Sequence, residues 1–210
     1  MKLYLIGGLG ADERVFKFLN CDHPNQVIKW IEPLKMESIE DYTKRISEQI
    51  NIEENFGILG VSFGGIIAVE LSKIIKPQIT ILISSVELAS QLPRNYLKIV
   101  NSGIFSLLPN SVLKPPKFIM HYLFGAKNKK LLNQIIDDTK PEFIKWALNT
   151  IVNWKNETRL PNIVRIHGTQ DRLFPLVGEA IEIENGKHFM IVDNSKEISR
   201  FVNETLKNAC

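Results

Sequence analysis

The sequence predicts an α/β architecture, a mostly parallel sheet of about six strands with helices on both faces, and three observations carry that prediction. Short apolar runs alternate with helix-period segments through the first half of the chain, the pattern of consecutive βαβ units. The runs are rich in Ile, Leu and Val with few polar interruptions, as strands covered on both faces must be. Between about residues 88 and 160 the alternation stops, only helical spacing is found, and the strand–helix rhythm then resumes.

Leu3-Tyr4-Leu5-Ile6 is the first expected strand, stopped by Gly7-Gly8. Val27 to Ile31 is the second, ending before Pro33. Ser38 opens a helix with Asp41 as its capping partner, and Ile39, Tyr42, Ile46 and Ile50 recur at helical spacing. Phe56 to Val61 is a third strand, running straight into Ser62 and a buried helix from Phe63 to Ile75 that Lys76-Pro77 ends. Ile79 to Ser84 is a fourth strand. Four helices are expected next, over residues 94–108, 116–124, 129–138 and 141–154, with Pro141 in a first turn. Ile163 to Ile166 and Ala180 to Ile183 complete the strands, and Lys196 to Lys207 forms a closing amphipathic helix. Residues 1–87 and 161–210 therefore read as one core, and residues 88–160 as a helical cap inserted into it.

A chain of 210 residues buries roughly 70% of the surface its unfolded form exposes, so it needs no metal or disulfide to hold it. The net charge of +3 is small and Lys and Glu are interspersed, which argues against a nucleic-acid partner. The densest basic stretch, Lys127, Lys129 and Lys130, reads as a solvated helix face. Cys21 and Cys210 form no Cys-x-x-Cys pair and read as free thiols of a reducing, cytoplasmic compartment. The apolar start is too short for a secretory leader. No run of about 18 apolar residues is present, so no membrane span is expected.

The chemistry is concentrated in Gly60-Val61-Ser62-Phe63-Gly64, a Gly-x-Ser-x-Gly between an expected strand and an expected helix. A serine on such a turn is held above the sheet edge, flanked by small residues that let the turn close. The helix that follows points its first N–H groups at the place where negative charge would develop. A phosphate-binding loop fits poorly, because Ile66-Ile67 stand where Lys and Ser or Thr are needed. A dinucleotide fingerprint fails as well, because Glu13 takes the place of its third glycine. Ser62 needs a base, and His188, in Gly186-Lys187-His188-Phe189 after the last strand, falls at the same sheet edge. His167 reads as a packed strand-end histidine, His23 as a loop residue, and His121 as a cap residue that could touch substrate. Asp171 follows the penultimate strand and gives the order Ser, Asp, His. Glu87, after the fourth strand, is its rival. The backbone N–H groups of Phe63 and Leu9 are the expected oxyanion donors, and Gly8 lies beside Leu9 in the substrate site.

Four ordered segments resemble the α/β-hydrolase superfamily over nearly the whole chain. They are Leu5-Ile6-Gly7-Gly8-Leu9-Gly10, Gly60-Val61-Ser62-Phe63-Gly64-Gly65, residues 167–175 (His-Gly-Thr-Gln-Asp-Arg-Leu-Phe-Pro), and Gly186-Lys187-His188-Phe189. Gly7-Gly8 stands where many members have His-Gly, and little room remains for a helix between Asp171 and the last strand. The resemblance implies a compact, capped serine hydrolase. It would act on an ester or thioester with a small or medium apolar acyl group and use no cofactor. A lyase, C–C bond hydrolase, haloperoxidase or acyltransferase on the same scaffold, or a non-catalytic small-molecule receptor, is the alternative.

Overall fold

The computed structural model describes residues 1–9, 11–93 and 116–209. Six strands form one sheet: β1 (Lys2–Ile6), β2 (Asn25–Val27), β3 (Phe56–Val61), β4 (Ile79–Ile83), β5 (Ile163–Gly168) and β6 (Ile181–Ile183). Their spatial order is β2-β1-β3-β4-β5-β6 and every pairing is parallel. After β2 the chain crosses back over β1 to lay down β3, so the loops leaving β1 and β3 diverge. The crevice between them, at the carboxyl ends of the strands, is where open sheets of this kind take ligands.

Strand alternation sorts the core into two layers. Tyr4, Ile6, Ile58 and Leu82 face α2 (Ile39–Ser47) and α3 (Phe63–Ile75). Leu3, Leu5, Leu59, Ile81 and Ile83 face the opposite side, where α8 (Ser195–Ala209) packs with Ile198, Val202 and Leu206. Each such fully buried aliphatic side chain contributes about 1.5–3 kcal/mol. Helix α3 is buried along its first ten residues and ends at Lys76 in the left-handed region, as an all-round apolar sequence followed by proline dictates. Helix α2 starts at Ser38, whose Oγ accepts from the Asp41 N–H at 3.1 Å.

The second strand starts two residues earlier than the apolar run suggests. The Leu3 N–H donates to the Pro24 carbonyl at 2.9 Å, and pairing ends with the Ile28 N–H on Leu5. The chain then leaves the sheet, and the Ile31 N–H and carbonyl both bond the Tyr42 hydroxyl. Two four-residue helices, α1 (Glu13–Phe16) and α7 (Met190–Asp193), were not expected. Four residues are too few to generate a periodic apolar pattern.

Between β4 and β5, α4 (Lys117–Phe124), α5 (Lys129–Asp138) and α6 (Pro141–Asn153) match three expected helices. The helix expected over residues 94–108 lies outside the described residues. Gly125 ends α4 with φ 60°, the left-handed stop that glycine supplies without strain. Helix α5 adds Leu132, Ile135 and Ile136 to one core layer, and α6 adds Phe143, Ala147 and Ile151 to the other. No helix among the described residues is long and apolar enough to cross a membrane.

Candidate active site

Ser62 occupies the turn between β3 and α3 with φ 54° and ψ −122°, a conformation that costs a non-glycine residue of order 1–3 kcal/mol. Its surroundings impose it. The Ser62 N–H donates to the Ile83 carbonyl, continuing the sheet ladder past the strand end. The Ser85 hydroxyl donates to the Ser62 carbonyl at 2.7 Å. A Cβ at Gly60 would stand 2.4 Å from the Gly64 carbonyl oxygen, and one at Gly64 would stand 2.1 Å from that of Gly7. The two glycines of the pentapeptide are thus required by close backbone approach.

Asp171 is set in the turn after β5, where its Oδ1 accepts from the N–H groups of Leu173 and Phe174, both at 2.9 Å. Gly168 and Gly186 let this turn meet the loop after β6, since a Cβ at Gly168 would fall 2.3 Å from the Gly186 carbonyl oxygen. That approach places His188 beside the acid. Its Nδ1 lies 2.8 Å from Asp171 Oδ2 and 3.0 Å from Oδ1, and its Nε2 lies 2.8 Å from Ser62 Oγ. A carboxylate that already accepts from two amides also accepts from Nδ1–H, so the Nε2 lone pair receives the serine hydroxyl proton. Phe124 and Phe174 meet the imidazole edge-to-face, with centroids 5.2 and 5.5 Å away. The ring is 3% exposed.

Gly8 lies over Ser62, its Cβ position 3.3 Å from Ser62 Cβ. Gly8, Leu9, Ser62, Phe63 and His188 open onto a cavity of about 350 Å³. Its far walls are apolar, with Leu132, Ile135 and Ile136 from α5 and Ile144, Leu148 and Ile151 from α6. Phe63 begins α3, and the first N–H groups of a helix have no partner within it.

Solved structures share this architecture across their length. An esterase from Thermogutta terrifontis superimposes with a TM-score of 0.71 at 13% identity, covering 100% of this chain and 90% of its own. A lipase-esterase related protein from Clostridium acetobutylicum gives 0.70 at 16%, covering 97% and 93%. A thioesterase from the prodiginine pathway of Streptomyces coelicolor gives 0.67 at 12%, covering 98% and 90%. The chain has the α/β-hydrolase fold. No protein-family model and no curated protein matches the sequence, so the likeness lies in the fold alone.

Within this α/β-hydrolase fold the remaining candidates separate clearly. Glu87 is buried but turned from the histidine: its carboxylate accepts from the Leu160 N–H at 3.1 Å and faces Arg159 at 3.5 Å. His121 Nε2 pairs with Asn133 on α5 at 2.7 Å, and His121 is not among the described residues that line the cavity. His23 lies near the Met1 carbonyl, at the end of β1 away from the site. His167 is fully buried directly behind the acid, its Nε2–H donating to the Phe174 carbonyl at 2.7 Å and lying 3.5 Å from Asp171 Oδ2. Sequence reasoning missed Ser85 and Trp30, which touch the turn and the glycine loop from distant positions. Neither sits in a motif.

Proposed function

We propose that this protein is a serine hydrolase that cleaves an ester or thioester through an acyl-enzyme on Ser62. The observation that carries the reading is the continuous hydrogen-bonded row from Ser62 Oγ through His188 to Asp171, 2.8 Å at each link, opening onto an apolar cavity. Esterases and a thioesterase among the similar folds support the reaction class.

Ser62 Oγ attacks the carbonyl carbon as its proton passes to His188 Nε2, and the carbonyl π electrons move onto oxygen. Asp171 holds Nδ1–H and balances the imidazolium that forms. The Phe63 and Leu9 N–H groups hold the oxyanion. Collapse breaks the bond to the alkoxide or thiolate, which takes the proton from Nε2 and departs. Water then attacks the acyl-enzyme, giving its proton to Nε2. The second collapse releases the acid and returns the proton to Ser62. In this reading α4, α5 and α6 belong to a cap that walls the acyl cavity.

A fluorophosphonate probe is expected to label the wild type and leave Ser62→Ala unlabelled. On a panel of ester and thioester substrates, Ser62→Ala is expected to lose about a millionfold in kcat. Retention of most activity by Ser62→Ala would sink the mechanism.

A further inference from the structure

The loop that offers the Leu9 amide is entered through Gly7 and Gly8, residues that impose almost no backbone direction of their own. An oxyanion donor works only when its N–H is fixed before the charge forms, so something outside the loop must fix it. The Gly8 carbonyl accepts from the Ala11 N–H at 2.9 Å. That carbonyl and the Leu9 N–H belong to one planar trans peptide, so holding the first sets the direction of the second. Ala11 in turn is held from outside: its carbonyl accepts the indole Nε1–H of Trp30 at 3.1 Å.

The same indole reaches the other donor. Its ring stacks on Phe63 with centroids 5.6 Å apart and planes 15° from parallel. Phe143 of α6 closes on Trp30 at 5.1 Å, and Trp146 of α6 meets the edge of Phe63 at 5.7 Å. Trp30 itself is not among the cavity-lining residues. It sits behind the reaction centre, in a segment that leaves the sheet just after β2.

We propose that Trp30 is a positioning residue for the oxyanion hole, orienting the Leu9 amide through its bond to Ala11 and bracing Phe63 by stacking. The inference rests on the serine-hydrolase reading above. One side chain thereby aligns donors from two different loops. It also joins them to α6, the helix whose other residues wall the acyl cavity.

The test replaces Trp30 by Phe, which keeps an aromatic ring and removes the N–H donor, and by 3-benzothienylalanine, which keeps the indole shape and removes only that donor. Active sites are titrated with the fluorophosphonate, and kcat is expressed per titrated site on a medium-chain p-nitrophenyl ester. Removal of a whole oxyanion donor lowers kcat by about 10²–10³, so loss of its alignment is expected to lower kcat about tenfold with KM within twofold. A trifluoromethyl ketone bearing the same acyl chain, which forms a tetrahedral adduct on Ser62, is expected to lose affinity by the same factor. Binding of the unreactive acid product is expected to hold.

Unchanged kcat per site and unchanged ketone affinity, with any loss confined to Tm or to the number of titratable sites, would mean Trp30 only stabilises the fold and would overturn the proposal. A rise in KM alone would overturn it equally. Failure of the hydrolase reading looks different, because the wild type itself would then resist the probe.

Discussion

His167 is the penultimate residue of β5, its ring fully buried between the sheet and the turn that carries Asp171. Its Nε2–H is committed to the Phe174 carbonyl, while the Phe174 N–H is committed to Asp171. Burial, the largest influence, pushes the imidazole below its ordinary value of 6.5; Arg165 and His188 push the same way, and the Phe174 carbonyl and Asp171 oppose them. In the proposed mechanism, a neutral ring here avoids placing a second cation beside His188 when that ring takes the serine proton. The consequence for stability has a definite sign. An unfolded chain binds a proton at this residue near pH 6.5, whereas the folded chain resists it, so acid favours unfolding. The contribution is whole above about pH 6.5 and is lost as pH falls toward the folded value. His167→Gln, which retains an N–H donor without a titrating ring, is therefore expected to narrow its Tm deficit to the wild type between pH 7.5 and 5.5. A deficit that stays constant across that range would show that His167 does not titrate with unfolding. The sequence placed this histidine correctly as packed, and its link to the acid was invisible there because the bridge runs through a backbone carbonyl.

The strand-to-helix turn around Ser62 depends on glycines that differ in what they face. A Cβ at Gly64 meets backbone, 2.1 Å from the Gly7 oxygen and 2.5 Å from the Ile6 oxygen, and neither can move without displacing β1. Gly64→Ala is expected to cost about 3 kcal/mol or more, read as a lower urea midpoint or no soluble folded protein. A Cβ at Gly65 meets the Ser85 side chain instead, 2.3 Å from Oγ and 2.5 Å from Cβ. Ser85 Oγ must then swing away and release the Ser62 carbonyl, and the backbone carrying Ser85 must shift as well, because rotation about χ1 leaves its Cβ in place. Gly65→Ala is expected to fold with a loss of about 1–3 kcal/mol and to lose more in kcat than in stability. Equal behaviour of the two variants in urea would contradict this reading. Long elements were legible because periodicity accumulates over them: α3, α5, α6 and α8 all lie within two residues of their expected bounds. The meeting of Ser62, His188 and Asp171 was legible because each follows a strand end within a short motif. Ser85 and Trp30 were not, since they act on Ser62 and Ala11 across 23 and 19 residues of chain. Contacts that far apart leave no spacing to recognise.

At the scale of the whole molecule, the sheet edge holds Ser62, His188 and Asp171, and α5 and α6 wall the cavity beside them. Among the described residues, the side chains lining the cavity offer few polar groups: Ser62, His188 and Thr139. The Thr139 hydroxyl is already spent on the Ile135 carbonyl at 2.6 Å. A substrate chain entering here gains by burial and finds no partner for a charge. Each buried methylene is worth about 0.8 kcal/mol, about fourfold in kcat/KM at 1.36 kcal/mol per tenfold. That gain should continue until the cavity of about 350 Å³ is filled. If a methylene fills the ~30 Å³ that a water molecule occupies in the liquid, filling comes at roughly twelve carbons. A C2–C14 series of p-nitrophenyl esters is therefore expected to rise in kcat/KM and level near that length. A monoester of a dicarboxylic acid of matching length should fall at least a hundredfold below its methyl-terminated counterpart, since its buried carboxylate goes unpaired. Ile151→Trp, on the α6 wall, is expected to move the plateau two or three carbons shorter while leaving the acetate rate within twofold. A chain-length profile that is flat in the wild type, or unmoved by Ile151→Trp, would place the acyl chain outside this cavity and leave α5 and α6 without a part in selecting it.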